Sequence, residues 1–146
     1  MNEFEIATVI DRPPDKVFAF LVNWDRYPDW SGSLSAARKT SEGPLGAGST
    51  ANLVGKMLGR GFETSVVVTE YVANERFATK TTSGAFYLEV GYKLESADGK
   101  TAVTTAVRGE SKGFFKLAEP VMVRVTKKQF ETDTESLKAL VEGEPK

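Results

Sequence analysis

The stretch from Phe114 to Val141 constrains the fold more than any other part of the chain. It carries no glycine and a single proline, Pro120, near its start. Apolar residues recur at Leu117, Val121, Met122, Val125, Phe130, Leu137, Leu140 and Val141. Many of the steps are three or four residues, which gathers much of the set on one side of a helix. Lys116, Arg124, Lys127, Lys128, Glu131, Glu135 and Lys138 occupy the other side. A helix of that span is about 40 Å long at 1.5 Å per residue. Its apolar stripe needs a broad apolar floor, and the residues upstream supply strands to build one.

Phe4 to Asp11 is rich in Ile, Thr and Val and reads as a first strand, ended by Arg12-Pro13-Pro14. Val17, Phe18, Leu21 and Val22 then fall at helical spacing behind a proline suited to a helix start. The aromatic turn Trp24–Trp30 follows, read as a second short helix stopped before Pro28. Leu34 to Thr40 is a second strand, and Gly43 to Gly48 is loop by composition. Strands are expected at Thr50–Leu58, Phe62–Val72, Arg76–Thr82, Phe86–Leu94 and Thr101–Glu110. In Phe86–Leu94, Phe86, Leu88, Val90, Tyr92 and Leu94 alternate with Tyr87, Glu89, Gly91 and Lys93. Short connections such as Asp98-Gly99 imply antiparallel pairing. A long sheet twists and curls, and a curled sheet over one helix leaves room for a ligand.

A chain of 146 residues with one candidate core is one domain, residues 1–146, and buries enough surface to need no crosslink. It has no cysteine and no histidine. Disulfides, thiolate nucleophiles, Cys-based zinc sites and Ser-His-Asp catalysis are therefore excluded, and no metal or cofactor is expected. A net charge of −1 with interspersed signs gives no electrostatic footprint for nucleic acid. No apolar run reaches the length of a membrane span, and no signal peptide is legible, so a soluble cytoplasmic protein is expected.

The residues that carry chemistry admit two readings each. Trp24, Tyr27 and Trp30 either plug one end of the core or line a pocket mouth. Gly43–Gly48 and Gly55–Gly61 lack the Lys-Ser/Thr and helix of a phosphate loop, and read as hairpin turns or as a flexible lid beside a cavity. Thr64, Thr79, Thr81, Thr105 and Tyr92 are either ordinary strand residues or hydroxyls aimed into a pocket. Glu63, Glu70, Glu89, Glu95 and Glu110 read mainly as solvated carboxylates. Arg108 has two candidate partners, a neighbouring strand's carboxylate or an acidic ligand group.

Several local patterns then combine. They are Asp11-Arg12-Pro13-Pro14-Asp15-Lys16-Val17-Phe18, the turn from Val22 to Trp30, and Gly46-Ala47-Gly48-Ser49. Val68-Thr69-Glu70-Tyr71, Asn74-Glu75-Arg76-Phe77-Ala78, Lys100-Thr101-Ala102-Val103-Thr104 and the close at Leu137–Glu142 complete the set. Together they resemble the START-like, helix-grip superfamily, and within it the bacterial polyketide cyclase/dehydrase and lipid-transport group (SRPBCC proteins), relatives of the birch-pollen-allergen fold. The resemblance covers essentially the whole chain. It implies an α+β fold in which a curved seven-stranded antiparallel sheet grips the C-terminal helix, with two short helices after the first strand. It also implies a cavity for a small hydrophobic molecule: a lipid, an isoprenoid, or an aromatic or polyketide metabolite.

Binding or carriage of such a ligand is the leading expectation. A cyclase or dehydratase acting on it, or a regulatory protein that engages another chain, are the alternatives. Ligand contacts are expected from Trp24 and Trp30 at the turn, and from Phe62, Val66, Val68, Phe77, Thr79, Phe86, Leu88, Val90, Tyr92 and Thr105 on the strands. Phe115, Val121, Met122 and Val125 would add the helix wall, with Phe130, Leu137 and Leu140 as plain core. If the chain is an enzyme, Tyr92, Arg108 and Glu70 are its polar candidates. A monomer and a homodimer fit the sequence equally.

Overall fold

Alternating apolar and polar residues, punctuated by turn formers, produce one antiparallel sheet of seven strands. The computed structural model describes residues 2–84, 86–111 and 114–145, without the side chains of residues 114 and 115. Strand β1 (Asn2–Ile10) leads into helix α1 (Pro14–Leu21), a 3-10 turn (Trp24–Arg26) and helix α2 (Tyr27–Trp30). Strands β2 (Leu34–Lys39), β3 (Thr50–Met57), β4 (Arg60–Val72), β5 (Arg76–Gly84), β6 (Phe86–Ala97) and β7 (Lys100–Ser111) follow. Helices α3 (Phe114–Leu117) and α4 (Glu119–Glu142) close the chain.

Spatial order across the sheet is β1-β7-β6-β5-β4-β3-β2. Strands β2 to β7 meander between sequence neighbours, while β1 pairs with β7 along its whole length, from Asn2 opposite Gly109 to Ile10 opposite Thr101. The tightest turns put Leu58-Gly59 and Asp98-Gly99 at positive φ, the conformation that matches strand twist in two-residue hairpins. Irregularities in β4, between Ser65 and Val66 and again between Val68 and Glu70, bend the sheet. The result is the helix-grip fold: the sheet curves around α4, which lies against β1, β7, α1 and α2.

Three local expectations change. Pro28 does not stop a helix but sits in the first turn of α2, where its missing N–H is not needed. Strand β5 does not end at Thr82 as expected but runs on through Gly84, which has a φ of 136°. A side chain there would come within 2.6 Å of Thr64 Oγ1, so glycine is what the pairing requires. Finally, the long apolar stretch is two helices. Ala118 leaves helical geometry (φ −106°, ψ 25°), and Pro120 starts α4 in the first turn, where proline is tolerated.

At its far end α4 is tied to the start of the chain. Arg12 donates to the carbonyls of Glu142 and Glu144, which otherwise have no helical partner, and Lys138 donates to the Val9 carbonyl. The Asp11 N–H donates to Glu142 at 2.8 Å. A cation at a helix C-terminus also meets the negative end of the macrodipole.

Among the described residues the buried apolar side chains form two clusters. The larger packs α1 and the aromatic turn (Val17, Phe18, Leu21, Trp24, Tyr27, Trp30) against Val66, Val68, Phe77, Leu94, Val103, Leu137 and Val141. Ring contacts stitch it together, with Phe18 edge-on to Tyr71 at 5.4 Å and Trp24 to Phe77 at 6.2 Å. The smaller centres on Phe86 and Met122, with Met57, Phe62, Leu88 and Ala118 around them. No helix among the described residues is long and apolar enough to cross a membrane.

Candidate functional site

Between these clusters lies a cavity of about 170 Å³, walled by both of them. Its floor is the inner face of the sheet. Period-two alternation turns Phe62, Thr64 and Val66 of β4, Phe77, Thr79 and Thr81 of β5, and Phe86, Leu88, Val90 and Tyr92 of β6 inward. Gly109 of β7 lies opposite Leu88, and any side chain there would overlap Leu88 and the Tyr87 carbonyl. Trp24, Tyr27 and Trp30 close one end. At the other, Asn2, Glu110, Ser111 and Glu119 form a polar rim, where Glu119 accepts from Asn2 Nδ2 and the Ser111 N–H, each at 3.1 Å. Met122, Val123, Thr126, Gln129, Phe130 and Asp133 of α4 make the roof.

The strand and turn residues expected to meet a ligand are thus brought together, with Val68 and Thr105 as exceptions. Both are packed into the filled part of the core and do not reach the cavity. The helix expectation was partly out of phase. Met122 faces the cavity, but Val121 is 45% exposed to solvent, and Val125 is half-buried off the cavity wall. The side chain of Phe115 lies outside the described residues. Phe130, expected to be plain core, lines the cavity and packs edge-on against Phe4 at 5.9 Å.

Of the polar candidates only Tyr92 faces inward. Glu70 and Arg108 stand on the outer face, where both are about half exposed, paired loosely with Arg76 at 3.8 Å and Glu89 at 4.0 Å respectively. Exposed pairs of this kind contribute little. Thr64 and Thr81 do face the cavity, but their hydroxyls donate to the Ser83 and Leu88 carbonyls at 2.8 and 3.4 Å, so both also serve the sheet. The aromatic turn satisfies both of its readings, since its three rings are core and cavity wall at once.

Asp133 is the residue that sequence reasoning missed. It sits on α4 and is 5% exposed. Its Oδ1 accepts from the Gly32 N–H at 2.9 Å and from Gln129 Nε2 at 2.7 Å, while Oδ2 has only Ser31 Oγ at 3.4 Å. Burial pushes the Asp133 carboxyl above its ordinary range, and the three donors pull it part of the way back. Tyr92 is held protonated, first by burial and then by the nearby charge of Asp133. Tyr27 is likewise held protonated by burial, and its hydroxyl donates to the Leu21 carbonyl. Trp30 Nε1–H is buried with no acceptor among the described residues. Among those residues no three carboxylates gather as a metal site would require.

Comparison with solved structures finds the same architecture across nearly the whole chain. TTHA0849 from Thermus thermophilus superposes with a TM-score of 0.83 at 15% identity, over 96% of this chain and 97% of its own. A START superfamily protein from Mycobacterium smegmatis gives 0.79 at 14% identity, over 96% and 97%. The Zhui aromatase/cyclase from Streptomyces sp. R1128 gives 0.79 at 13% identity, over 97% and 93%. At such identities the likeness is one of fold. No curated protein matches in sequence. The family model for polyketide cyclase / dehydrase and lipid transport matches residues 1–142, and the chain belongs to that family.

Proposed function

We propose that the protein binds a small, largely apolar molecule of one or two fused rings in the cavity between sheet and α4. The observation that carries this reading is the divided core. Among the described residues, two hydrophobic clusters stop short of each other and leave about 170 Å³ between walls that are mostly aromatic and aliphatic. Interiors are normally close-packed. An apolar cavity of about 150 Å³ is enough to take up benzene. A ligand here recovers dispersion contacts that the chain itself forgoes.

Val90 lines this space from β6, so a larger side chain there takes up part of it. Titration with the fluorescent probe N-phenyl-1-naphthylamine should give saturable, enhanced emission in the native protein. Val90→Trp should lose that signal while remaining folded by circular dichroism. A probe at about a hundred times its dissociation constant should add about 2.7 kcal/mol to stability. Failure of the folded native protein to bind this or any small aromatic probe would sink the reading.

A cyclase-type reaction in the same cavity is a second reading. It is favoured by the presence of Tyr92 and Asp133 there and by the shared fold of an aromatase/cyclase. A poly-β-keto chain returned unchanged after binding would leave carriage alone standing.

A further inference from the structure

The apolar cavity is not uniformly apolar, and its polar atoms are unevenly used. At the end closed by α2, Asp133 and Tyr92 both line the space with hydrogen-bonding capacity to spare. Asp133 commits Oδ1 to two good hydrogen bonds, but Oδ2 receives only the 3.4 Å contact from Ser31, longer than an effective O–H···O bond. Tyr92 lines the same space and makes no hydrogen bond among the described residues, and the charge of Asp133 is near enough to act on it. One donor and one acceptor are therefore fixed on two different elements, β6 and α4, in a space that is otherwise mostly apolar.

Resting on the proposal that a small apolar ligand enters this cavity, we infer that this end is a seat for a single hydroxyl on an otherwise apolar ring system, a phenol or aromatic alcohol. Its O–H donates to Asp133 Oδ2 and its oxygen accepts from the Tyr92 hydroxyl. A hydroxyl is the smallest group that donates and accepts at once. A ligand carboxylate is disfavoured by the fixed charge of Asp133 in a region of low dielectric. A plain hydrocarbon pairs with neither Asp133 Oδ2 nor the Tyr92 hydroxyl.

Three probes of one shape separate the possibilities: naphthalene, 2-naphthol and 2-naphthoic acid, titrated against native protein, Asp133→Asn and Tyr92→Phe. Asparagine keeps an oxygen for the Gly32 and Gln129 bonds but places a donor where Oδ2 stood. For the native protein, 2-naphthol should bind about tenfold tighter than naphthalene, the worth of one good hydrogen bond, and 2-naphthoic acid should bind weakest. In Asp133→Asn the advantage of naphthol over naphthalene should fall to about threefold or less. Tyr92→Phe repeats the test from the sheet side, and stands alone if the helix variant fails to fold. Equal binding of naphthalene and naphthol by the native protein would overturn the hydroxyl seat and leave the cavity proposal intact. An undiminished preference in both variants would overturn the assignment of the seat to Asp133 and Tyr92. Binding of none of the three probes would overturn both proposals.

Discussion

A carboxylate taken out of water depends on its donors, and Asp133 shows both the dependence and its cost. Gly32, Gln129 and Ser31 supply hydrogen bonds, yet desolvation outweighs them and the carboxyl titrates above its usual value. The folded chain therefore holds this proton more tightly than the unfolded chain does. Stability from this group is full below the ordinary value of 3.8 and is lost as pH rises through the raised one. Asp133→Asn carries no such charge. Its melting temperature should exceed that of the native protein at pH 7, and the gap should close as pH falls toward 4; thermal unfolding across that range reads it directly. Glu142 has the opposite sign. Hydrogen bonding from the Asp11 N–H, then from Lys138, holds its carboxyl low, so its contribution is present above 4.5 and lost as acid protonates it. Asp133 was illegible beforehand because it lies in the polar run Gln129-Phe130-Glu131-Thr132-Asp133-Thr134. Carboxylates there read as solvated on burial statistics. The spacing of Met122, Thr126, Gln129, Phe130 and Asp133 does trace one helix face, but three of the five are polar, so hydropathy conceals it.

At the scale of elements, strands were more legible than the helix. Phe86 to Leu94 alternates so cleanly that one face had to be inward, and β6 obeys with Phe86, Leu88, Val90 and Tyr92 on the cavity. The phase of α4 was harder to read, because Leu117 and Val121 are apolar yet exposed, 89% and 45% respectively, and drew the expected stripe round the helix. Its C-terminal anchor comes from a residue that marked only a strand end in the sequence. Arg12 reaches across from the β1–α1 connection to the last carbonyls of α4, and its own carbonyl accepts from Thr101 Oγ1 at 2.7 Å. Arg12→Ala removes several charge-assisted bonds from a partly exposed site, so a loss of about 1–2 kcal/mol is expected. In a domain of this size that lowers the melting temperature by roughly 2–8 °C. Because the anchor is far from the cavity, probe affinity should not change. A parallel loss of affinity would mean that the anchor sets the position of the α4 roof.

For the whole molecule, the strand that begins the chain completes the sheet beside the strand that ends it. Asn2 pairs with Gly109 and Ile10 with Thr101, whereas β2 through β7 each find a partner next door in sequence. During synthesis at about 5–20 residues per second, β1 waits roughly 5–20 s for β7 to emerge. Until then Phe4, Ile6 and Ile10 have no sheet to join, and α4 has no finished floor to lie on. Contacts that span so much chain come late, because loop closure must precede their reward. Pulsed amide exchange during refolding should therefore protect β4, β5 and β6 before β1, and simultaneous protection of all four would refute that order. The meander is then the template, and closure by β1 is the step that turns an open sheet into a container.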